Sequence, residues 1–204
     1  MVSIDNEDAL RAHYPPKSRI VSLKCLPAID EHIARFISLS PFLVIGSSHP
    51  DRGTDVSPRG DAPGFVQVID SHTVMIPDRP GNNRLDTFSN IIVNPEVGLI
   101  FFIPGVEETA RVNGRAQIVT DAPTLETFEV NGKTPRAAIL VEVQEAYLHC
   151  AKALKRSKLW QDDYKIDRTD LPTLGKMVSD QIKGEISAED AEAGVQASYR
   201  DRMW

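Results

Sequence analysis

Six short strand-like runs, closely spaced along the chain, constrain the fold of this sequence more than any other feature. They cover residues 42–45, 64–69, 73–76, 97–103, 109–119 and 138–144. Short runs of this kind, separated by turn residues, point to a barrel or a sandwich. The run 97–103 is apolar at nearly every position, so it is expected to be buried on both faces. In 138–144, Ile139, Val141 and Val143 alternate with Glu142 and Gln144, the period of a half-buried strand. Asp70, Ser71 and His72 join two of the runs as a hairpin. Gly114, inside 109–119, marks a bulge or a close approach of backbone.

Helical periodicity surrounds these runs. Ile29, Ile33, Phe36 and Ile37 make one apolar stripe between Pro27 and Pro41. Leu85, Phe88 and Ile92 make a second, stopping at Asn94-Pro95. Asp121 and Pro123 open a third helix, with Leu125 and Phe128 inward and Asn131-Gly132 as a left-handed stop. Ahead of these, Pro15 and Pro16 block helix formation in an irregular arm. Beyond Tyr147 the chain turns basic and partly helical, and 170–204 reads as two helices. Leu174, Met177, Val178 and Ile182 share a face of the first, and Ser187 with Asp190 caps the second. The expected organisation is an arm over 1–26, one domain over 27–165 and a helical extension over 166–204.

Charge and motif content narrow the function. A length of 204 residues suits one domain with a tail. The net charge is −6, which argues against a general nucleic-acid partner, because such binding needs a basic surface. No apolar run approaches the ~20 residues that span a bilayer, and the polar, acidic start is not a signal peptide. A cytoplasmic protein with no membrane partner is expected. Cys25 and Cys150 lie far apart and are expected to be reduced thiols. The five histidines form no ligand spacing, so no metal site is expected. No GxGxxG, GxxxxGK[ST] or GxSxG motif is present.

Two segments carry the candidate chemistry. One runs from Thr54 to Asp61, between the first and second strand-like runs, and contains Ser57, Pro58 and Arg59. The other contains Pro77, Asp78, Arg79, Pro80, Gly81, Asn82, Asn83 and Arg84, passing from a strand into a helix. Free backbone N–H groups at a helix start favour an anion, and an arginine fork matches phosphate geometry. Arg59, Arg79 and Arg84 are therefore candidates to converge on one phosphate. The same composition is also ordinary turn chemistry with surface arginines, and both readings stand at this level.

The ordered set SPRGDAPGFVQVID, IPDRPGNNR, NPEVGLIFFIPG, RVNGRA and HCAKALKRSKLW resembles the FMN-binding core of the pyridoxamine-phosphate-oxidase-like flavoproteins, over residues 27–165. The resemblance implies an α+β fold: a six-stranded, Greek-key-type split β-barrel with peripheral helices and a C-terminal helical extension. It implies a homodimer with FMN at the subunit interface, and an FMN-dependent oxidoreductase that takes a nicotinamide donor or a small-molecule substrate. The same fold also serves non-catalytic flavin- or haem-binding modules and deazaflavin-dependent reductases. Under the resemblance, 56–60 is a strand along the flavin ring, with Ser57, Pro58 and Arg59 at the flavin and phosphate. Pro77, Asp78, Arg79, Asn82, Asn83 and Arg84 would contact ribityl and phosphate, and Ser157 to Trp160 of the partner subunit would close the ring site. No catalytic side chain is identified. The parent oxidases end in an arginine and a histidine that hold the substrate. This chain ends YRDRMW, with no histidine after His149, so pyridoxamine phosphate is not its expected substrate.

Overall fold

A computed structural model describes residues 1–203. Seven strands form one antiparallel sheet: β1 (Phe42–His49), β2 (Gly53–Gly60), β3 (Gln67–Asp70), β4 (Thr73–Pro77), β5 (Glu96–Ile103), β6 (Val106–Val119) and β7 (Ala138–His149). The strand order is β2-β1-β5-β6-β7-β4-β3. The α+β class matches the expectation; the count of six strands does not. The added strand is β2, which the residues alone read as a loop. Its sequence, GTDVSPRG, lacks alternating apolar residues because even its inward positions are polar. It lies at the sheet edge, where Pro58 opposite Val44 is tolerated without an N–H to donate.

The core lies under one face of this sheet. Leu43 and Ile45 of β1, Leu99 and Phe101 of β5, Val112 of β6 and Val141 of β7 are almost completely buried. Helix α3 (Glu31–Leu39) covers them with Ile33 and Ile37. It starts later than Pro27 because Asp30 caps it, its side chain accepting from the Ile33 N–H at 2.8 Å. Strand β5 is not buried on both faces within the chain. Val97, Leu99 and Phe101 point into the core, while Ile100 and Phe102 are only half-buried on the other side. They pair across the sheet with Val44 and Phe42, leaving an apolar outer face.

Gly114 meets its expectation. The β6–β7 register shifts between Asn113 and Gly114, and a Cβ there would sit 2.1 Å from the Glu142 carbonyl oxygen. Helix α4 (Asp86–Val93) forms where expected but turns a different face inward. Thr87, Asn90 and Ile91 are buried, whereas Ile92 is exposed. Polar bonds fix that orientation: Asn90 Nδ2 donates to Ser47 Oγ at 3.0 Å, and Asn94 Nδ2 to Ser48 Oγ at 2.8 Å.

Helix α5 (Ala122–Glu126) is capped by Asp121 and buries Leu125, with Phe128 buried just beyond it. Asn131 and Gly132 are left-handed, at φ 53° and 72°, but they do not stop this helix. They form the tip of a tight turn in which Val130 and Lys133 pair, as two consecutive positive φ values require. The N-terminal arm contains two short helices, α1 (Glu7–His13) and α2 (Arg19–Leu23), neither with a buried residue. After α6 (Lys152–Ser157) and a 3-10 turn at Arg168–Asp170, α7 (Leu174–Gln181) and α8 (Ala188–Asp201) form a hairpin. The face expected for α7 is revised. Gly175 and Ser179 are its buried residues, and Leu174 is exposed. A Cβ on Gly175 would lie 2.4 Å from the Glu192 backbone nitrogen, so the helices touch through glycine.

Candidate functional site

The two motif segments meet in one cavity of about 910 Å³, at the upper end of the range of roughly 300–1,000 Å³ for small-ligand sites. Strand β2 supplies Asp55 to Gly60, the β4–α4 loop supplies Asp78 to Leu85, and α4 supplies Asp86, Thr87 and Phe88. The Val130 turn adds Lys133, Thr134, Pro135 and Arg136, and the end of α8 adds Asp201 and Arg202.

Arg59 lies at the centre of the polar network. Its Nη1 donates to Ser57 Oγ and to the Pro58 carbonyl at 2.8 Å, and its Nη2 donates to Thr87 Oγ1 at 3.3 Å. Burial pushes its pKa down, and the charges of Asp78 and Asp55 partly oppose this. Asp78 is anchored by its backbone N–H, which donates to the Ala137 carbonyl at 2.9 Å. Burial raises its carboxyl above the ordinary range, against the opposing pull of Arg59 and Arg136.

The loop ahead of α4 is built by asparagine chemistry. Asn82 Oδ1 accepts from the Arg84 N–H at 3.0 Å. Asn83 and Leu85 adopt left-handed backbone, at φ 57° and 59°. Such a conformation is unusual for leucine and costs about 1 kcal/mol or more. Leu85 therefore occupies the N-cap position with no side-chain cap. Arg84 is exposed and pairs with Asp86, Nε to Oδ2, at 2.7 Å.

Eight of the expected site residues line this cavity: Ser57, Pro58, Arg59, Asp78, Arg79, Asn82, Asn83 and Arg84. Arg79 is held by structural partners: its Nε lies 2.6 Å from Asp61 Oδ2 in a buried pair, and its Nη1 donates to the Phe128 carbonyl. Pro77 is fully buried at the end of β4 and does not line the cavity. Ser157 and Trp160 stand elsewhere, around a smaller hollow after α6, where Trp160 Nε1 donates to the Val106 carbonyl at 2.9 Å. Arg136 and Arg202 escaped the sequence reading. Lys133-Thr134-Pro135-Arg136 repeats the basic and proline composition of the other segments, which was a usable signal; nothing local marked Arg202.

The cavity can hold an extended anionic ligand. Arginine and asparagine donors suit a phosphate, while Val56, Pro58, Leu85 and Phe88 offer apolar surface for a ring. These residues fit FMN. Among the described residues, no three His, Cys, Asp or Glu side chains gather as metal ligands, and no helix is long and apolar enough to cross a membrane.

Comparison with solved structures returns HupZ of Group A Streptococcus, at 16% identity and a TM-score of 0.47, covering 59% of this chain and 93% of that one. General Stress Protein 26 from Bacillus anthracis matches at 15% identity and 0.46, covering 58% and 91%. An FMN-binding protein from Syntrophomonas wolfei matches at 9% identity and 0.45, covering 59% and 88%. No curated protein matches the chain. The sequence profile described as pyridoxamine 5'-phosphate oxidase matches residues 29–150, from the entry to α3 through the end of β7. The chain thus belongs to the pyridoxamine 5'-phosphate oxidase family, and its sheet is that family's split β-barrel.

Proposed function

We propose that the chain binds FMN in the 910 Å³ cavity and acts as an FMN-dependent oxidoreductase. The observation that carries this reading is the meeting of the β2 segment and the β4–α4 loop in one cavity within a member of this family. When bound, FMN supplies the redox chemistry by accepting or donating a hydride, and the protein supplies position and electrostatics. Arg84, Asn82 and Asn83 would hold the phosphate, Arg59 and Ser57 the polar edge of the flavin or its phosphate, and Val56 and Pro58 the ring surface. Their roles are to bind and orient; none is assigned a proton transfer.

The functional unit is proposed to be a homodimer. Phe42, Val44, Ile100 and Phe102 form the outer apolar face of β1 and β5, next to Val56 and Pro58 on β2. A second copy over this face would bury it and bring its Ser157–Trp160 segment towards the flavin. Pyridoxamine phosphate is not the proposed substrate, because residues 150–204 contain no histidine to partner an arginine as in the parent oxidases.

Reduction of the FMN-loaded protein by NADH or NADPH, followed as bleaching near ~450 nm where the cofactor absorbs, tests the reading. Bleaching at a useful rate, with no pyridoxal phosphate formed from pyridoxamine phosphate and oxygen, is expected. Efficient oxidation of pyridoxamine phosphate would overturn the substrate assignment. A flavin that no nicotinamide reduces would favour a binding module.

A further inference from the structure

We propose that Arg136 and Arg202 form a second anion site on the cavity, which takes the carboxylate or phosphate of the substrate. This deepens the FMN reading and rests on it for the identity of the neighbouring ligand.

The pairing of charges around the cavity singles these two residues out. Arg79 is bound to Asp61, and Arg84 to Asp86. Asp201 is held by its neighbour Arg200, Nε to Oδ1 at 2.9 Å. Arg59 donates to Ser57, Pro58 and Thr87. Among the described residues, the side chains of Arg136 and Arg202 have no hydrogen bond and no ion pair, although Asp78 feels the charge of Arg136. Both line the cavity. A guanidinium group lining a cavity without a bonded carboxylate offers an anion a fork of free N–H donors.

Their positions are set by the fold. Arg136 follows buried Pro135 on the way into β7. Arg202 is the C-cap of α8, its N–H donating to the Ser198 carbonyl at 3.0 Å. Helix α8 is held against α7 by the glycine contact and by the Gly175 N–H, which donates to Glu192 Oε2 at 2.9 Å. Arg202 is therefore carried on the end of a helix that packs against its neighbour.

The family profile matches residues 29–150, so Arg136 lies inside the matched region and Arg202 outside it. The cofactor-type donors Ser57, Asn82, Asn83 and Arg84 all lie within the matched region.

The test is calorimetric titration of the FMN-loaded protein with phenyl phosphate, benzoate and, as an uncharged control, phenol. Wild type, Arg136→Ala, Arg202→Ala and Arg202→Lys are compared, with FMN affinity measured on each. Both positions are exposed, so the variants retain the fold. The proposal expects phenyl phosphate or benzoate to bind wild type more tightly than phenol does. It also expects each alanine variant to lose about tenfold in that anion's affinity, with partial rescue by lysine and unchanged FMN affinity. If wild type binds neither anion, or the alanine variants bind them equally well, the site is overturned. Loss of FMN affinity in Arg202→Ala without loss of anion affinity would place Arg202 at the cofactor phosphate and also overturn it. If the chain takes up no flavin, the same titration on the flavin-free protein separates the outcomes. Anion binding lost in the variants would then uphold the site while the cofactor reading falls.

Discussion

Arg84 sits exposed at the head of α4, paired with Asp86, and its proposed task is recognition of a phosphate. Arg84→Ala should therefore weaken FMN by about tenfold or more, the typical yield of a charge-assisted bond, while riboflavin affinity changes little because riboflavin has no phosphate. Fluorescence titration of both ligands reads the difference, and equal losses would assign Arg84 to the loop structure instead. Asp78 gives a pH dependence. Burial raises its pKa above the ordinary 3.8, so from 3.8 up to the raised value the folded state keeps a proton that the unfolded chain has released. Stability attributable to Asp78 is therefore present below 3.8 and falls as pH rises through that window. Asp78→Asn removes this dependence, so urea midpoints of the variant should gain on wild type as pH rises from about 4. A variant that loses ground over that range would contradict the assignment. Arg59, Arg84 and Asp78 were legible in the sequence because each lies in a segment dense in Gly, Pro and Asn. Arg202 was not, since only the α7–α8 hairpin brings it to the cavity.

The elements show why some of the chain was easier to read than the rest. Strand β7 and helix α3 declare themselves through apolar periodicity, because their inner faces are apolar. Gly114 stood out as a glycine in a strand, and the structure gives its reason: the Glu142 carbonyl occupies the space of a Cβ. Gly114→Ala should destabilise the fold by about 1–3 kcal/mol through displacement of β6 from β7, as measured by chemical unfolding. A change near zero would mean the strands separate without cost. Strand β2 and helix α4 were harder because their inward faces are polar. Asp55, Ser57 and Arg59 point inward from β2, and Thr87 and Asn90 from α4. Hydrophobic periodicity is blind to such faces, and in α4 it selected Ile92, which is exposed. Polar inner faces are costly unless fully bonded; here Ser47, Ser48 and Asp55 supply the partners. They are also what a polar ligand needs, so the least legible elements are the ones that build the site.

At the scale of the whole molecule, the outer face of β1 and β5 remains apolar and uncovered within one chain. The expectation that 97–103 would be buried on both faces is met only on the core side, and a second copy is the proposed cover for the other. Light scattering at micromolar concentration should give about twice the 22.6 kDa chain mass. Phe42→Asp with Phe102→Asp should shift the protein to monomer, since paired charges on the face oppose its burial. A wild-type monomer that still held FMN would contradict the dimer. The central claim is that the cavity between β2, the β4–α4 loop and α4 is a flavin site. The most direct measurement is titration of the flavin-free protein with FMN, followed by flavin fluorescence. Quenching that saturates at one FMN per chain, and that weakens in Arg59→Ala and Arg84→Ala, is the result expected. FMN fluorescence that stays unquenched at micromolar protein, or quenching indifferent to both arginines, would contradict the account.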